Sequence, residues 1–380
     1  MEKSSFDIAV LGAGCSSFQL LHQLSQQPQW LHQKVALFSE GIPQQRSWCF
    51  WSKEQHPLQH LVTKSWSKII FKGKGFSKIE NVQPYQYHYI AGEDFFHYFH
   101  NDFLLEHENI TTISNSVTAI KESQAGFEVL SSDNQCETKN VFSSLPPVWE
   151  NISARFWLKQ HFVGWFIKTE QPVFDDTALT LMDFSIPQQA DTRFVYVLPF
   201  SKTEALVEMT VFSPTVYPES VYEEVLTAYM NQHFPNIHYD IQNTEKGVIP
   251  MTDATFSRYG SAGEILLGTS AGTVKATTGY AFKRITKDSQ QLAKDFSQNT
   301  KYSWHHTKGR FRFYDRLLLG IISDEPLRGS VIFETLFKKI PMSTIFRFLD
   351  EETTLLEEIR LFSQLPFFPF LKQIYKQWKW

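Results

Sequence analysis

The segment Gly12-Ala-Gly14 stands between an apolar run, Asp7-Ile-Ala-Val-Leu11, and a stretch in which Phe18, Leu20, Leu21 and Leu24 recur at helical spacing. Glycines at a strand-to-helix turn let the backbone approach a pyrophosphate and leave the first helical N–H groups facing it. Ser17, small enough to let the helix lie close, stands where the third glycine of this pattern usually falls. Lys34-Val-Ala-Leu-Phe38 reads as the next buried strand, and Glu40 beyond it is placed to accept hydrogen bonds from a ribose, or is a surface carboxylate beside a turn. Strand, glycines, helix, strand and acid in this order point to a dinucleotide site. Late in the chain, Gly268-Thr-Ser-Ala-Gly272 follows another apolar run and precedes a helix expected from about Gly279 to Phe296. A second helix N-terminus there could hold the far end of an extended cofactor, which favours FAD over NAD. Thr269 replaces the aspartate that many flavoproteins carry at this point.

Two carboxylates sit in apolar runs. Glu208 lies in Leu206-Val-Glu-Met209, where burial would disfavour its ionised form and leave a general acid. A carboxylate within a strand also commonly faces solvent, because neighbours alternate sides. Asp183, in Leu181-Met-Asp-Phe184, is a second candidate polar group or closes a turn. His305 and His306 are adjacent and point in different directions, with no cysteine or carboxylate repeated at ligand spacing, so no metal site is expected.

The elements that position these residues fall into three groups. The opening is a βαβ unit. A helix from about Asp94 to Leu105 and strands at Thr111 to Ile120 and Gly126 to Leu130 follow, and Ala178 to Phe184, Arg193 to Leu198 and Ala205 to Phe212 suggest a separate antiparallel sheet. Beyond the second glycine segment the chain reads as mostly helical. With 36 basic and 40 acidic residues, no chain-wide positive field exists to attract nucleic acid. Cys15, Cys49 and Cys136 fit neither a disulfide framework nor a zinc site, and no secretory signal opens the sequence, so a cytoplasmic protein is expected. No apolar window approaches the length that spans a bilayer.

Longer motifs are more specific than the glycines. Arg46-Ser-Trp-Cys-Phe-Trp51, the strand pair Arg193-Phe-Val-Tyr-Val-Leu-Pro-Phe-Ser201 and Ala205-Leu-Val-Glu-Met-Thr210, and the segment Gly247-Val-Ile-Pro-Met-Thr-Asp253 resemble bacterial lycopene cyclases. Thr278-Gly-Tyr-Ala-Phe282, Arg310-Phe-Arg-Phe-Tyr-Asp-Arg-Leu-Leu-Leu319 and Arg347-Phe-Leu-Asp-Glu351 extend the resemblance over nearly the whole chain. Two departures stand out: Val141-Phe-Ser-Ser-Leu145 lacks the family's Asp-x-Arg step, and Met209 replaces the second acid that often follows the one at Glu208.

The resemblance implies an α/β fold in which an FAD-binding Rossmann-like domain is interleaved with an antiparallel-sheet substrate domain, as in aromatic hydroxylases and geranylgeranyl reductases. The expected division is 1–60 with 90–150 and 245–296 for FAD, 61–89 with 151–244 for substrate, and a helical region 297–380. The implied activity is redox-neutral closure of lycopene ends into β-rings, with FAD in its reduced form and NAD(P)H as electron source. Glu208 would start the reaction as the acid, with Asp183 the second choice. Trp48, Phe50, Trp51, Phe194, Tyr196 and Phe200 would line a dry tunnel whose ring faces stabilise a cation, although each could equally be core packing. The tail Pro366-Phe-Phe-Pro-Phe-Leu-Lys-Gln-Ile-Tyr-Lys-Gln-Trp-Lys-Trp380 mixes aromatics with lysines, as a membrane-surface anchor or as a packed terminal helix. A redox flavoenzyme of the same fold and a non-catalytic carotenoid carrier are the alternatives.

Overall fold

The computed structural model describes residues 4–41, 46–303 and 308–378. The histidine pair at 305–306 and Trp380 lie outside the described residues. Strand β1 (Ser4–Leu11) runs parallel to β2 (Val35–Phe38) on one side and to β11 (Gln135–Ser143) on the other. It is apolar at consecutive positions because both faces of the sheet are covered. Ile8 and Val10 join Phe18 and Leu21 of α1 (Cys15–Ser25), while Ala9 and Leu11 join Val129 and Val141 on the reverse face. β8 (Ile110–Ile113) extends the sheet beside β2, β10 (Gly126–Ser131) and β9 (Val117–Ser123) continue it antiparallel beyond β11, and β17 (Ile265–Leu266) pairs with the end of β11. A helical segment 92–106, made of α2 (Gly92–His97), a π-helical turn (Tyr98–Phe103) and α3 (Leu104–Glu106), places Phe95, Phe99 and Phe103 in the same core as α1.

The second sheet has the order β16 (Tyr239–Thr252), β12 (Trp157–Thr169), β15 (Glu204–Ser213), β14 (Thr192–Pro199), β13 (Ala178–Asp183), β5 (Lys68–Gly73) and β6 (Phe76–Asn81). α4 (Glu219–His233) covers one face, with Leu226 and Tyr229 against Val195, Val207 and Met209. The opposite face carries Phe194, Leu206 and Phe212 and packs against the C-terminal helices α6 (Gly309–Asp324), α7 (Leu327–Lys339), α8 (Met342–Leu349) and α9 (Leu355–Phe362), while α10 (Phe367–Trp378) lies on α6. Phe71 stacks on Phe337 of α7 with ring centroids 4.3 Å apart. Burying a side chain of this size is worth about 2 to 3 kcal/mol.

A small sheet, β3 (Trp48–Ser52), β7 (Gln86–Ile90) and β4 (Lys64–Trp66), joins the two halves. Phe50 and Ile90 enter the core of the first sheet, while Trp51 and Tyr87 enter that of the second. Three expected boundaries cut across these ladders. β12 pairs with β16 from Trp157↔Thr252 to Thr169↔Tyr239, so residues 245–252 continue the antiparallel sheet instead of starting the cofactor part. Residues 48–52 and 64–66 both pair with β7, so the divisions at 60 and 90 fall within one sheet. Among the described residues no helix is long and apolar enough to cross a membrane.

Candidate active site

The first glycine turn is fixed by local polar contacts. Gly12 has φ +88°, and a Cβ there would lie 2.5 Å from Ser144 Oγ. That hydroxyl donates to the Leu11 carbonyl at 3.0 Å and accepts from Ser17 Oγ at 2.9 Å. Gly14 caps α1 in extended conformation with no side-chain cap, and a Cβ on it would meet nothing within 4 Å. The free space is the edge of a cavity of about 570 Å³ that is lined by Gly14, Cys15, Ser16, Ser144, Gly268 and Ser270. A helix N-terminus with unspent N–H groups and a gap at its cap suits a phosphate. Gly268, φ +58°, brings the second glycine segment to within 2.7 Å of Ser16 Oγ, measured from its would-be Cβ.

The other expected cofactor residues are spread more widely. The second glycine segment is a single 3-10 turn, Gly268–Ala271, and the helix expected from about Gly279 is α5 (Phe282–Ser297), which starts ten residues past Gly272 with Ala281 and Phe282 on the wall of the same cavity. Gly272 closes that turn with φ +69°, lies against the Phe256 ring and lines a different cavity. Glu40 is exposed at the end of β2 and does not line the larger cavity.

The antiparallel sheet forms the facing wall. One row across it reads Tyr196, Glu208, Gly164, Glu245, each residue paired with the next. Paired residues share a face, so the row opens on one side, and Tyr196, Glu208 and Glu245 all line the cavity. Val207 and Met209, the neighbours of Glu208, point into the core under α4. Burial, and then the charge of Glu245, push the Glu208 carboxyl up to about 8, against a lowering bond donated by Thr210 Oγ1 at 2.8 Å. The surface that Glu208 exposes is thus cavity wall and not bulk solvent. Glu245 is also raised by burial, but Ser47 N donates to it at 2.9 Å and the Arg46 guanidinium opposes the rise.

Asp183 does not join this site. It is fully buried on the α4 side of the sheet, where Ser185 N and Tyr229 Oη donate to it at 2.9 and 2.8 Å and Lys72 Nζ lies at 3.3 Å. Burial alone would raise its pKa, but the bonds from Ser185, the Lys72 ammonium and the Tyr229 bond hold it below the usual carboxylate range. A carboxylate held in that way is a poor proton donor.

Of the expected tunnel aromatics, Trp48 and Tyr196 line the cavity. Phe50 and Trp51 line a smaller cavity of about 340 Å³, whose charged wall is internally paired through Lys275 with Asp315, Arg284 with Glu351 and Lys283 with Asp350. Phe194 is core, packed against Phe184 and Phe212, and Phe200 packs on Tyr89 and Phe166. The structure adds Tyr87, Tyr89, Phe162 and Tyr280 to the wall. The alternation in Gln86-Tyr-His-Tyr-Ile90 carried a signal for the first two; Glu245, in the polar run Asn243-Thr-Glu-Lys246, carried none. Among the described residues no three histidine, cysteine, aspartate or glutamate side chains come together as a metal site.

This architecture, a parallel sheet with a glycine turn joined to an antiparallel sheet and a helical end, is shared with solved flavoprotein structures. A geranylgeranyl bacteriochlorophyll reductase-like protein from Thermoplasma acidophilum superposes with a TM-score of 0.57 at 12% identity, over 98% of this chain and 96% of that one. A flavoprotein/dehydrogenase from Cytophaga hutchinsonii gives 0.60 at 11% identity, over 91% and 92%. The lycopene cyclase protein family matches residues 7–374, and the chain belongs to that family. A lycopene beta-cyclase of Pantoea ananas is 27% identical over 209 residues, 50% of this chain and 52% of that protein, so the match spans about half the length of the curated relative.

Proposed function

We propose that the protein closes the acyclic ends of lycopene into β-rings by acid catalysis, using a flavin-bearing cavity at a membrane surface. The observation that carries this reading is Glu208, raised by burial and by Glu245, in a cavity whose wall carries Trp48, Tyr87, Tyr89, Tyr196 and Tyr280 and which reaches the glycine turn at Gly14. An alkene is a very weak base, so its protonation needs an acid both close and neutral. Glu208 donates its proton to the terminal trisubstituted double bond, and the next double bond attacks the resulting cation to close the ring. Loss of a ring proton to the waiting carboxylate restores the acid, so no atoms or electrons are gained overall. Tyr196, Tyr280 and Trp48 exclude water from the cation and offer it their ring faces.

Gly12, Gly14 and Gly268 fit FAD, since the open cap at Gly14 is a cradle that any side chain would fill. Reduced FAD would supply an electron-rich ring that stabilises positive charge, with NAD(P)H as the electron source. Chromatography of pigments from lycopene-accumulating cells that express the protein tests the activity. Reduced or oxygenated acyclic products in place of rings would mean a redox flavoenzyme, and bound but unchanged lycopene a carrier.

A substrate dissolved in a bilayer calls for a docking face, and α10 supplies one. Gln373 fastens this helix to the Gly320 carbonyl at 2.9 Å and Lys376 reaches Asp324 at 2.7 Å, while Phe367, Phe368 and Trp378 are 66%, 83% and 89% exposed. The proposed location is the cytoplasmic membrane surface, consistent with three free cysteines. Replacing Phe367, Phe368 and Trp378 together by serine leaves the polar fastening intact and is expected to lower liposome flotation at least about tenfold. Undiminished flotation would place the membrane contact elsewhere.

A further inference from the structure

We infer that Glu245 is the second carboxyl of the acid site: set across Gly164 from Glu208, it carries the fixed negative charge that keeps Glu208 protonated. This rests on the reading of Glu208 as the acid and assigns Glu245 a tuning role, not that of proton donor. Gly164 is the partner of both residues, Glu208 in β15 and Glu245 in β16. Two strand spacings put their backbones about 10 Å apart, a gap that two glutamate side chains can bridge when nothing stands between them. Gly164 itself adds no side chain, and the Glu208 side chain leans over it: a Cβ on Gly164 would lie 3.1 and 3.3 Å from Glu208 Cβ and Cγ, with Leu206 Cδ1 beside them at 2.7 Å. The glycine is therefore a notch in the wall.

The two carboxyls are unequal. Glu245 accepts from Ser47 N at 2.9 Å and feels the Arg46 guanidinium, both of which favour its ionised form. Glu208 has one hydroxyl bond, from Thr210, and apolar strand neighbours. Of a pair sharing one proton, the better-solvated member gives it up, so Glu245 ionises first and its charge opposes ionisation of Glu208. The other titratable groups that face them are Cys49 of β3, Tyr89 of β7, Tyr196 of β14 and Tyr280 ahead of α5. Burial raises all four, so they stay neutral over the working range. Glu245 is then the charge that acts on Glu208, and Arg46 the one that acts on Glu245. The family pattern places a second acid beside the first in sequence; here that position is Met209, and the sheet brings the second acid from another strand.

The test follows the C=O stretch of the protonated Glu208 carboxyl against pH by infrared spectroscopy, without substrate, the band being assigned by its loss in Glu208→Gln. In Glu245→Gln the midpoint is expected to fall by about one unit. Glu245→Asp, which keeps the charge, is expected to hold the midpoint near that of the wild type. The kcat for ring formation in Glu245→Gln should then show a deficit several-fold larger at pH 8 than at pH 6. An unmoved midpoint in folded Glu245→Gln overturns the inference, as does loss of activity at every pH with the Glu208 band unchanged. Should Glu208→Gln still cyclise lycopene, the acid assignment fails, while the infrared titration still decides whether the two carboxyls are coupled.

Discussion

Glu208→Gln is expected to lower the rate of ring formation by about two to four orders of magnitude, the usual contribution of general-acid catalysis, while flavin content stays close to that of the wild type. The side chains are nearly isosteric, and the backbone of β15 is held on both sides by β12 and β14, so the wall keeps its shape. An amide cannot donate a proton of comparable acidity to an alkene. Ring formation from lycopene with reduced FAD, measured by chromatography beside wild type, reads the loss; absorbance at equal protein concentration reads the flavin. Near-normal cyclisation by the variant would remove Glu208 as the acid. Asp183 could not then take its place, because it lies on the other side of the sheet and is held ionised; Glu245 would be next to test.

The same residue fixes the sign of two pH effects. The acid works in its protonated form, so wild-type activity should hold on the acid side and fall as pH rises through about 8. For stability, the folded protein retains a proton on Glu208 that the unfolded chain has already released above the ordinary glutamate pKa. Folding therefore loses support from this group between that ordinary value and about 8, as pH rises. Gln has no proton to retain, so the variant's Tm relative to wild type should improve as pH rises over that interval. A stability difference that is flat with pH would mean that Glu208 is not raised.

How much of this was legible in the sequence depends on where each element finds its partners. β1 and the turn at Gly12 were readable because a buried parallel strand is apolar at consecutive positions and positive φ demands glycine. β14 and β15 were readable from their dense apolar and aromatic content. β16 was not. As the edge strand of its sheet it is exposed at most of its first eight positions, so its polar side chains carry no alternation to detect. β12 interrupts its apolar positions with Lys159, Gln160 and His161, and His161 is buried only because Ser213 and Tyr222 bond it. Missing those two strands hid the site's second carboxyl, since Glu245 reaches Glu208 only through the register of β12 with both neighbours. Asp183 misled for the opposite reason: an acid in an apolar run says that it is buried, not which face it takes.

Gly14→Leu is expected to weaken FAD binding by about 100-fold or more while the protein still folds. The substitution is tolerable for the backbone, because Gly14 has φ −93° and ψ −178°, an extended conformation open to any residue, and no protein atom stands within 4 Å of the new Cβ. Exchanging glycine for leucine at a helix cap costs under about 1 kcal/mol. The side chain must then occupy the space in front of the first turn of α1, where the pyrophosphate would take its hydrogen bonds. Losing two charge-assisted bonds there, at about 1.5 kcal/mol each, accounts for the hundredfold. Gly12 is the contrasting position: an alanine there needs φ +88° and brings its Cβ to 2.5 Å from Ser144 Oγ, so Gly12→Ala should damage the fold itself. The measurement is an FAD absorbance or fluorescence titration of each apoprotein, paired with thermal unfolding. Low affinity with wild-type Tm in Gly14→Leu, and a lowered Tm in Gly12→Ala, would place the dinucleotide at the cap of α1. An FAD affinity within about twofold of wild type in Gly14→Leu would mean that no phosphate lies against that cap, and the cofactor assignment would have to be abandoned.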